Sequence, residues 1–343
     1  MKFTLLIGAE HRPTDSMVTR LAEHVEQVRL AREVGFDSIV IGSHLSYGTA
    51  AWFPPIETLM RLSAAADGMS LGTCMLVLPL YHPVEVAEQF ALLDAACGGR
   101  AVMGVSPGWT QSEFDLVGLD FSKRIGRFTE AVSLIKRLYT ENEVTFEGKH
   151  FRVNNATLAL KPTQKPRPPM WLGGSVEAAV KRVASIAETD LGDTWCASSH
   201  LKTDVIVQQA AVFKETLKDL GKSMPKDFPV LRNVVVANDR ATAIREVGPA
   251  IAESYKIFGD WGLFKEVVGD AKPHPDFEEL INGRFIIGSP EQAAEDITQL
   301  ATVTGATRMV CRSQWVGMDH KHVMRTIELV GTKVAPLVRK ALT

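Results

Sequence analysis

Short apolar runs alternate with amphipathic stretches over almost the whole chain, and this rhythm constrains the fold more than any other feature. The run FTLLI, Phe3 to Ile7, precedes a helical pattern from about Met17 to Val34. There Met17, Leu21, Val25 and Val28 step by three or four and form an apolar stripe, and Gly35 closes the helix. Further strands are predicted at 38–42, 71–78, 101–105, 169–174, 192–197, 230–237 and 306–312. Helix starts fall between them. Pro83 opens one, Ser289 to Gln292 (SPEQ) is a capping box with Pro in the first turn, and Asp319 caps the last. A strand followed by a helix, about eight times over, predicts parallel strands inside and helices outside. Eight such units in 343 residues favour a closed (β/α)8 TIM barrel, an α/β fold, over an open doubly wound sheet. No GxGxxG follows the first strand, which weakens the dinucleotide-binding alternative. Two insertions interrupt the rhythm. One is rich in β-formers, Glu143 to Pro162. The largest lies before the eighth strand, at 257–287, and carries Gly259, Gly262, Gly269, Pro273 and Pro275. It reads as a lid or as a surface insertion on a single domain spanning 1–343.

Bulk properties exclude several classes. With 45% apolar and 23% charged residues the chain has the composition of a globular protein. Its net charge is −2 and it has no basic block, so neither a nucleic acid nor an acidic membrane surface is expected as a partner. No apolar run approaches the ~18 residues that would span a bilayer. The N-terminal run is too short for a secretory signal and ends in Glu10-His11-Arg12, so it reads as a first buried strand. Cys74, Cys97, Cys196 and Cys311 are far apart with no CxxC pair, which fits reduced thiols in a cytoplasmic protein.

In a parallel barrel the site gathers at the C-terminal strand ends. No Lys stands there, so Schiff-base chemistry lacks its nucleophile. Glu10, His11 and His44 are a thin set for a hydrolytic metal, and a metal hydrolase would reveal itself by stoichiometric zinc or manganese. No Gly-x-Ser-x-Gly elbow is present. What remains is aromatic and small: Trp109, Trp195, Trp315, glycines and serines. Such a lining suits a flat, mostly apolar ligand, with the chemistry carried by a cofactor. Gly173-Gly174-Ser175 reads equally as a phosphate seat, with Ser175 capping the next helix, and as an ordinary strand-to-helix turn. Trp52 and Phe53, with Trp261 in the insertion, are candidates for an apolar substrate pocket or for packing under long loops.

The segments LPLYHPVEVAEQFALLDAACGGRAVMGVSPGWTQSEF, GRFTEAVSLIKRLYTENEVTFEGKHFRV and PPMWLGGSVEAAVKRVA resemble the bacterial luciferase-like monooxygenase family. The resemblance runs from Thr4 to about Arg339 and is most specific between His82 and Trp109. It implies a (β/α)8 barrel that binds reduced FMN, or the related deazaflavin, at the strand ends. It places Cys74-Met75 where the family often has a non-prolyl cis peptide beside the ring. It places Ser106, Gly108 and Trp109 against the cofactor, and Gly173, Gly174 and Ser175 on its phosphate side. It also makes His44 the second-strand histidine at the reactive edge, a residue suited to protonation or substrate orientation; the plainer alternative is a loop histidine bound to a carbonyl. Trp109 then walls the pocket against water, or else packs under the following helix. The activity implied is oxygenation of a small organic substrate by O2 and reduced FMN, supplied by a flavin reductase, in a homodimer. The alternatives are a deazaflavin-dependent hydride-transfer oxidoreductase and a non-catalytic flavin-binding barrel.

Overall fold

The computed structural model describes residues 1–45, 49–269 and 274–343. Pro273, named above within the insertion, lies outside the described residues. Nine strands form one continuous path: β1 (Lys2–Ile7), β2 (Ser38–Ile41), β3 (Ser70–Thr73), β4 (Ala101–Ser106), β5 (Met170–Gly173), β6 (Thr194–Cys196), β7 (Pro229–Val236), β8 (Phe285–Gly288) and β9 (Arg308–Arg312). Their order is β6-β5-β4-β3-β2-β1-β9-β7-β8, and every ladder between neighbours is parallel. Most of these strands read as unbroken apolar runs because they are covered on both faces. Inside the ring, Leu6, Val40, Cys74, Trp171, Cys196, Leu231 and Val310 pack on one another. A larger core fills the space between strands and outer helices, reached by Val25 and Val28 of the helix Met17–Glu33 and by Phe90 and Leu93 of Pro83–Ala96.

Each of β1 to β6 pairs with its sequence neighbour, and β9 returns to β1 in the register Lys2↔Arg308 through Leu6↔Arg312. β6 approaches β7 without a ladder among the described residues. Side chains cross this seam. Arg232 donates to the Leu201 carbonyl at 2.8 Å and Asn233 to that of Ser199 at 3.1 Å.

Three expectations need correction. The end of the supposed insertion is regular structure, for Phe285–Gly288 joins the eight expected strands on the path by pairing with β7 from Asn233↔Phe285 to Val236↔Gly288. A four-residue apolar run gives too short a signal to separate a strand from a buried loop. The strand expected at 71–78 stops at Thr73, and Leu76–Val77 then pairs separately with β4. The peptide between them, Cys74–Met75, is cis. Finally, the helix after β5 begins at Glu177 with Val176 at the N-cap and no side-chain cap, so Ser175 does not cap it. The predicted caps at Ser289, with its full capping box, and at Asp319 are present. The β-rich excursion forms a hairpin, Val144–Glu147 with Arg152–Ala156.

The N-terminal strand ends are closed by paired charges. Arg167 donates two hydrogen bonds of 2.8 Å to the Asp193 carboxylate, and Lys136 Nζ lies 2.8 Å from it. The backbone N–H groups of Met170 and Glu188 complete the shell at 3.0 Å each. Burial works to raise the Asp193 pKa, but Arg167 and Lys136 outweigh it and hold the carboxyl below its usual range. Arg308 similarly donates to Thr4 at 2.9 Å and Ser38 at 2.7 Å and pairs with Asp227. Among the described residues no helix is long and apolar enough to cross a membrane.

Candidate active site

A cavity of about 410 Å³ opens at the C-terminal ends of the strands. It collects most of the predicted residues. His44 and Trp52 border it from the β2 side, and Cys74 and Met75 lie at the end of β3. Ser106, Gly108 and Trp109 follow β4, and Gly173, Gly174 and Ser175 follow β5. Gly108 adopts φ +77°, and a Cβ there would stand 2.6 Å from Val77 Cγ1. The turn itself therefore demands glycine. Gly173 is constrained by packing as well, since a Cβ would meet that of Ser106 at 2.9 Å.

His44 sits in an aromatic frame. Its ring centroid lies 4.7 Å from Trp52, 5.6 Å from Trp109 and 5.5 Å from Trp261, all edge-on. Its Nδ1 is 3.0 Å from Glu113 Oε2. Glu113 is fully buried on the short helix Gln111–Leu116, and its other oxygen accepts from the Leu45 N–H at 2.7 Å. With Glu113 ionised, Nδ1 carries the proton it donates, and the neutral ring then presents an unprotonated Nε2, a proton acceptor. Glu113 was not legible as a site residue, because a lone glutamate in a six-residue helix carries no motif. Trp109 is half-buried and edges both the cavity and His44, so it serves as a wall.

Two cations stand on the β4–β5 side of the cavity. Arg124, at the start of the helix Arg124–Thr140, and Arg182, on Glu177–Ile186, both line it near Ser175 and Val176. Neither has a carboxylate within ion-pair distance among the described residues. Burial lowers the Arg124 pKa first; Glu266 opposes this and Arg182 adds to it. Two like charges held beside the N-terminus of a helix make a seat for an anion.

On the β6–β9 side the lining is His200, Ser198, Ser199 and Arg312. Arg312 is bonded through Nη2 to the buried carboxylate of Glu10, and its guanidinium lies over Phe258 at 5.2 Å and Trp315 at 5.7 Å. His200 Nδ1 is 3.1 Å from the Tyr255 hydroxyl. Burial drives the His200 pKa well below its ordinary value, helped by Arg312, His44 and Arg284.

The remaining predicted substrate residues do not border the cavity. Phe53 packs on His11 and His24, at 4.9 and 5.5 Å between ring centroids. Burial, then the neighbouring His11, pushes the His24 pKa down to about 3. Trp315 is buried against Phe285 at 5.5 Å and supports Arg312 from behind. Trp261 stands one layer out, touching the rings of His44 and Phe258.

Comparison with known proteins agrees with this architecture. An FMNH(2)-dependent dimethylsulfone monooxygenase of Pseudomonas putida is 26% identical over 341 residues, covering 91% of this chain and 86% of its own. An F420-dependent glucose-6-phosphate dehydrogenase of Microbacterium testaceum is 34% identical over 170 residues, 46% of this chain and 48% of its own. The solved structure of monooxygenase RslO1 from Streptomyces bottropensis superposes with a TM-score of 0.84 at 20% identity, covering 98% of this chain and 99% of that one, and shares its fold. The model of the luciferase-like monooxygenase family matches residues 1–308, and the chain belongs to that family.

Proposed function

We propose that this protein is a flavin-dependent monooxygenase that uses reduced FMN and O2 to oxygenate a small organic substrate. The observation that carries the reading is the pair Arg124 and Arg182, cations without carboxylate partners beside the start of Glu177–Ile186, at one side of a cavity whose remaining wall is largely aromatic and apolar. The site fits an anionic cofactor bearing a flat ring. Arg124, Arg182, Ser175 and the backbone at Gly174 hold its phosphate; Cys74, Met75, Ser106, Gly108 and Trp109 bound its ring system. When bound, reduced FMN supplies two electrons and the reaction with O2.

The protein's own part is orientation, dryness and proton control. Trp52, Trp109 and Trp261 keep water from the edge of His44, where a reactive oxygen species would otherwise be lost to solvent. Glu113 fixes the ring of His44 so that Nε2 takes or returns a proton at the substrate oxygen. In this reading the strands form an eight-membered (β/α)8 barrel, β9 being the eighth and β8 belonging to the largest insertion. The segment 257–287 acts as a lid, supported by Phe258 and Val267, which border the cavity, and by Trp261, which touches the ring of His44. A separate flavin reductase, a cytoplasmic setting and a homodimer complete it and rest on family membership.

The dimethylsulfone enzyme supports the FMN branch and the glucose-6-phosphate dehydrogenase supports a deazaflavin branch, in which the same cavity would serve hydride transfer. Titration of the protein with FMN and with F420, followed by oxygen uptake with reduced FMN, separates them. Oxygen uptake coupled to product from a panel of ketones, aldehydes and sulfonates is expected. Tight F420 binding without oxygen uptake would establish the deazaflavin branch. Flavin held without turnover of any kind would establish a binding protein.

A further inference from the structure

The cavity carries a second cationic wall, across the ring of strands from Arg124 and Arg182. Arg312 ends β9, and among the described residues its guanidinium is hydrogen-bonded through Nη2 alone, to Glu10. The rest of its guanidinium edge borders the cavity between the rings of Phe258 and Trp315. Behind it stand two more buried guanidiniums. Arg284 donates to the carbonyls of His200 at 2.9 Å and Glu279 at 3.1 Å. Arg232 donates to Leu201 at 2.8 Å, to Thr203 at 3.1 Å and to Gly283 at 2.6 Å, and its Nε has no hydrogen-bond partner among the described residues. All of these acceptors are neutral, and neither arginine has a carboxylate within ion-pair distance among the described residues. The Arg312–Glu10 pair is neutral overall. The buried cluster therefore carries two positive charges with no ion-paired carboxylate among the described residues, Asp296 acting on Arg232 only from beyond ion-pair distance, a state that burial penalises unless an anion is supplied. His200 and Ser199 add polar groups at the same wall, while Trp52, Phe258, Leu231 and Val267 supply apolar surface beside it.

We infer that the substrate is an amphiphilic organic anion, its carboxylate or sulfonate held by the free edge of Arg312 with His200, and its hydrocarbon part lying along Phe258 and Trp52. This deepens the flavin-dependent reading and rests on it for the chemistry. The anion seat itself is tested without turnover. The probes are hexanoate and hexane-1-sulfonate, with hexan-1-ol as the uncharged control, titrated by tryptophan fluorescence into the full chain, free and saturated with FMN. At least tenfold tighter binding of one or both anions than of the alcohol is expected in both states. The stronger anion identifies the head group.

Replacing Arg312 alone would strand the buried Glu10, so the decisive variant removes both charges together, Glu10→Gln with Arg312→Gln. Anion preference should fall to within twofold of the alcohol, while FMN affinity changes less than threefold and so reports an intact fold. Should the double variant fail to fold, Arg312→Lys keeps the charge but loses the planar fork, and a drop of at least fivefold in anion preference is expected. Equal binding of anions and alcohol in the wild type overturns the inference. So does preference that survives in the variant that folds, or anion binding abolished by FMN, which would put it at Arg124 and Arg182. If FMN does not bind, the flavin reading falls, and anion preference in the free protein still decides for or against the seat.

Discussion

At the N-terminal ends of the strands Asp193 is met by Arg167, Lys136 and two backbone N–H groups; at the C-terminal ends Arg124 and Arg182 face a cavity whose lining carboxylate, Glu266, lies beyond ion-pair distance of both, with no other carboxylate paired to them among the described residues. The same fold satisfies buried charge at one end and leaves it open at the other. Saturated networks fix one arrangement of the chain. Open ones at a strand-end cavity are available to a ligand. Stability and function are thus separated along the strand axis, and substitutions at the two ends should move different observables.

The largest expected effect is at the open end. His44→Asn should lower turnover about 10²–10⁴-fold, the range of a lost general acid–base group. The thermal midpoint should hold within ~2 °C, because the asparagine amide nitrogen, placed like Nδ1, keeps the hydrogen bond to Glu113 and the space left opens onto the existing cavity. A large fall in midpoint would show His44 to be structural and would break the comparison.

Next comes the closed end. Asp193→Asn leaves Arg167 and Lys136 with only the exposed Glu188 carboxylate, 3.0 Å from each, and should cost about 3 kcal/mol in urea unfolding, the lower end for broken buried pairs, with FMN affinity unchanged. The native protein should also show an acid limb. A carboxyl held below its usual pKa stabilises fully above the unfolded value near ~3.9 and loses that contribution as pH falls through the lower, folded one. The variant should lack that part of the limb in unfolding curves taken between about pH 5 and pH 2.

Smaller still is Arg124→Gln, which removes a charge-assisted bond to the cofactor's phosphate. FMN affinity should fall about 10- to 100-fold, or roughly 1.5–3 kcal/mol, with unfolding stability equal or slightly improved because a desolvated cation is removed. Stability lost alongside affinity would show that Arg124 belongs with the structural charges. The smallest effect is Gly108→Ala. The φ of +77° and the crowding by Val77 should cost about 1–2 kcal/mol, seen as a lower unfolding midpoint.

The strand–helix rhythm was legible because apolar periodicity is local, and so were the strand-end residues His44, Ser106 and Gly174, since each stands within a few residues of the end of an apolar run; Cys74 lay inside the run read as a single strand, and only the family resemblance placed it at the site. Phe285–Gly288 was not, being four residues long within a stretch rich in turn formers. Partners distant in sequence were also hidden. Glu10 and Arg312 are 302 residues apart, and His44 and Glu113 are 69 apart. Ser175 was misread as a cap because serine before an acidic first turn is a common signal, whereas Val176 takes the extended N-cap conformation and Ser175 gives its carbonyl to Gln209 at 2.7 Å. Phe53 and Trp315 show the converse: an aromatic near a strand end need not face the cavity, and only packing decides.

A crystal structure of the FMN complex tests the central claim most directly. The phosphate should lie between Arg124, Arg182 and the backbone at Ser175–Val176, with the ring against Cys74–Met75 and its edge toward His44. A phosphate bound by other residues, or a ring outside this cavity, would contradict the account.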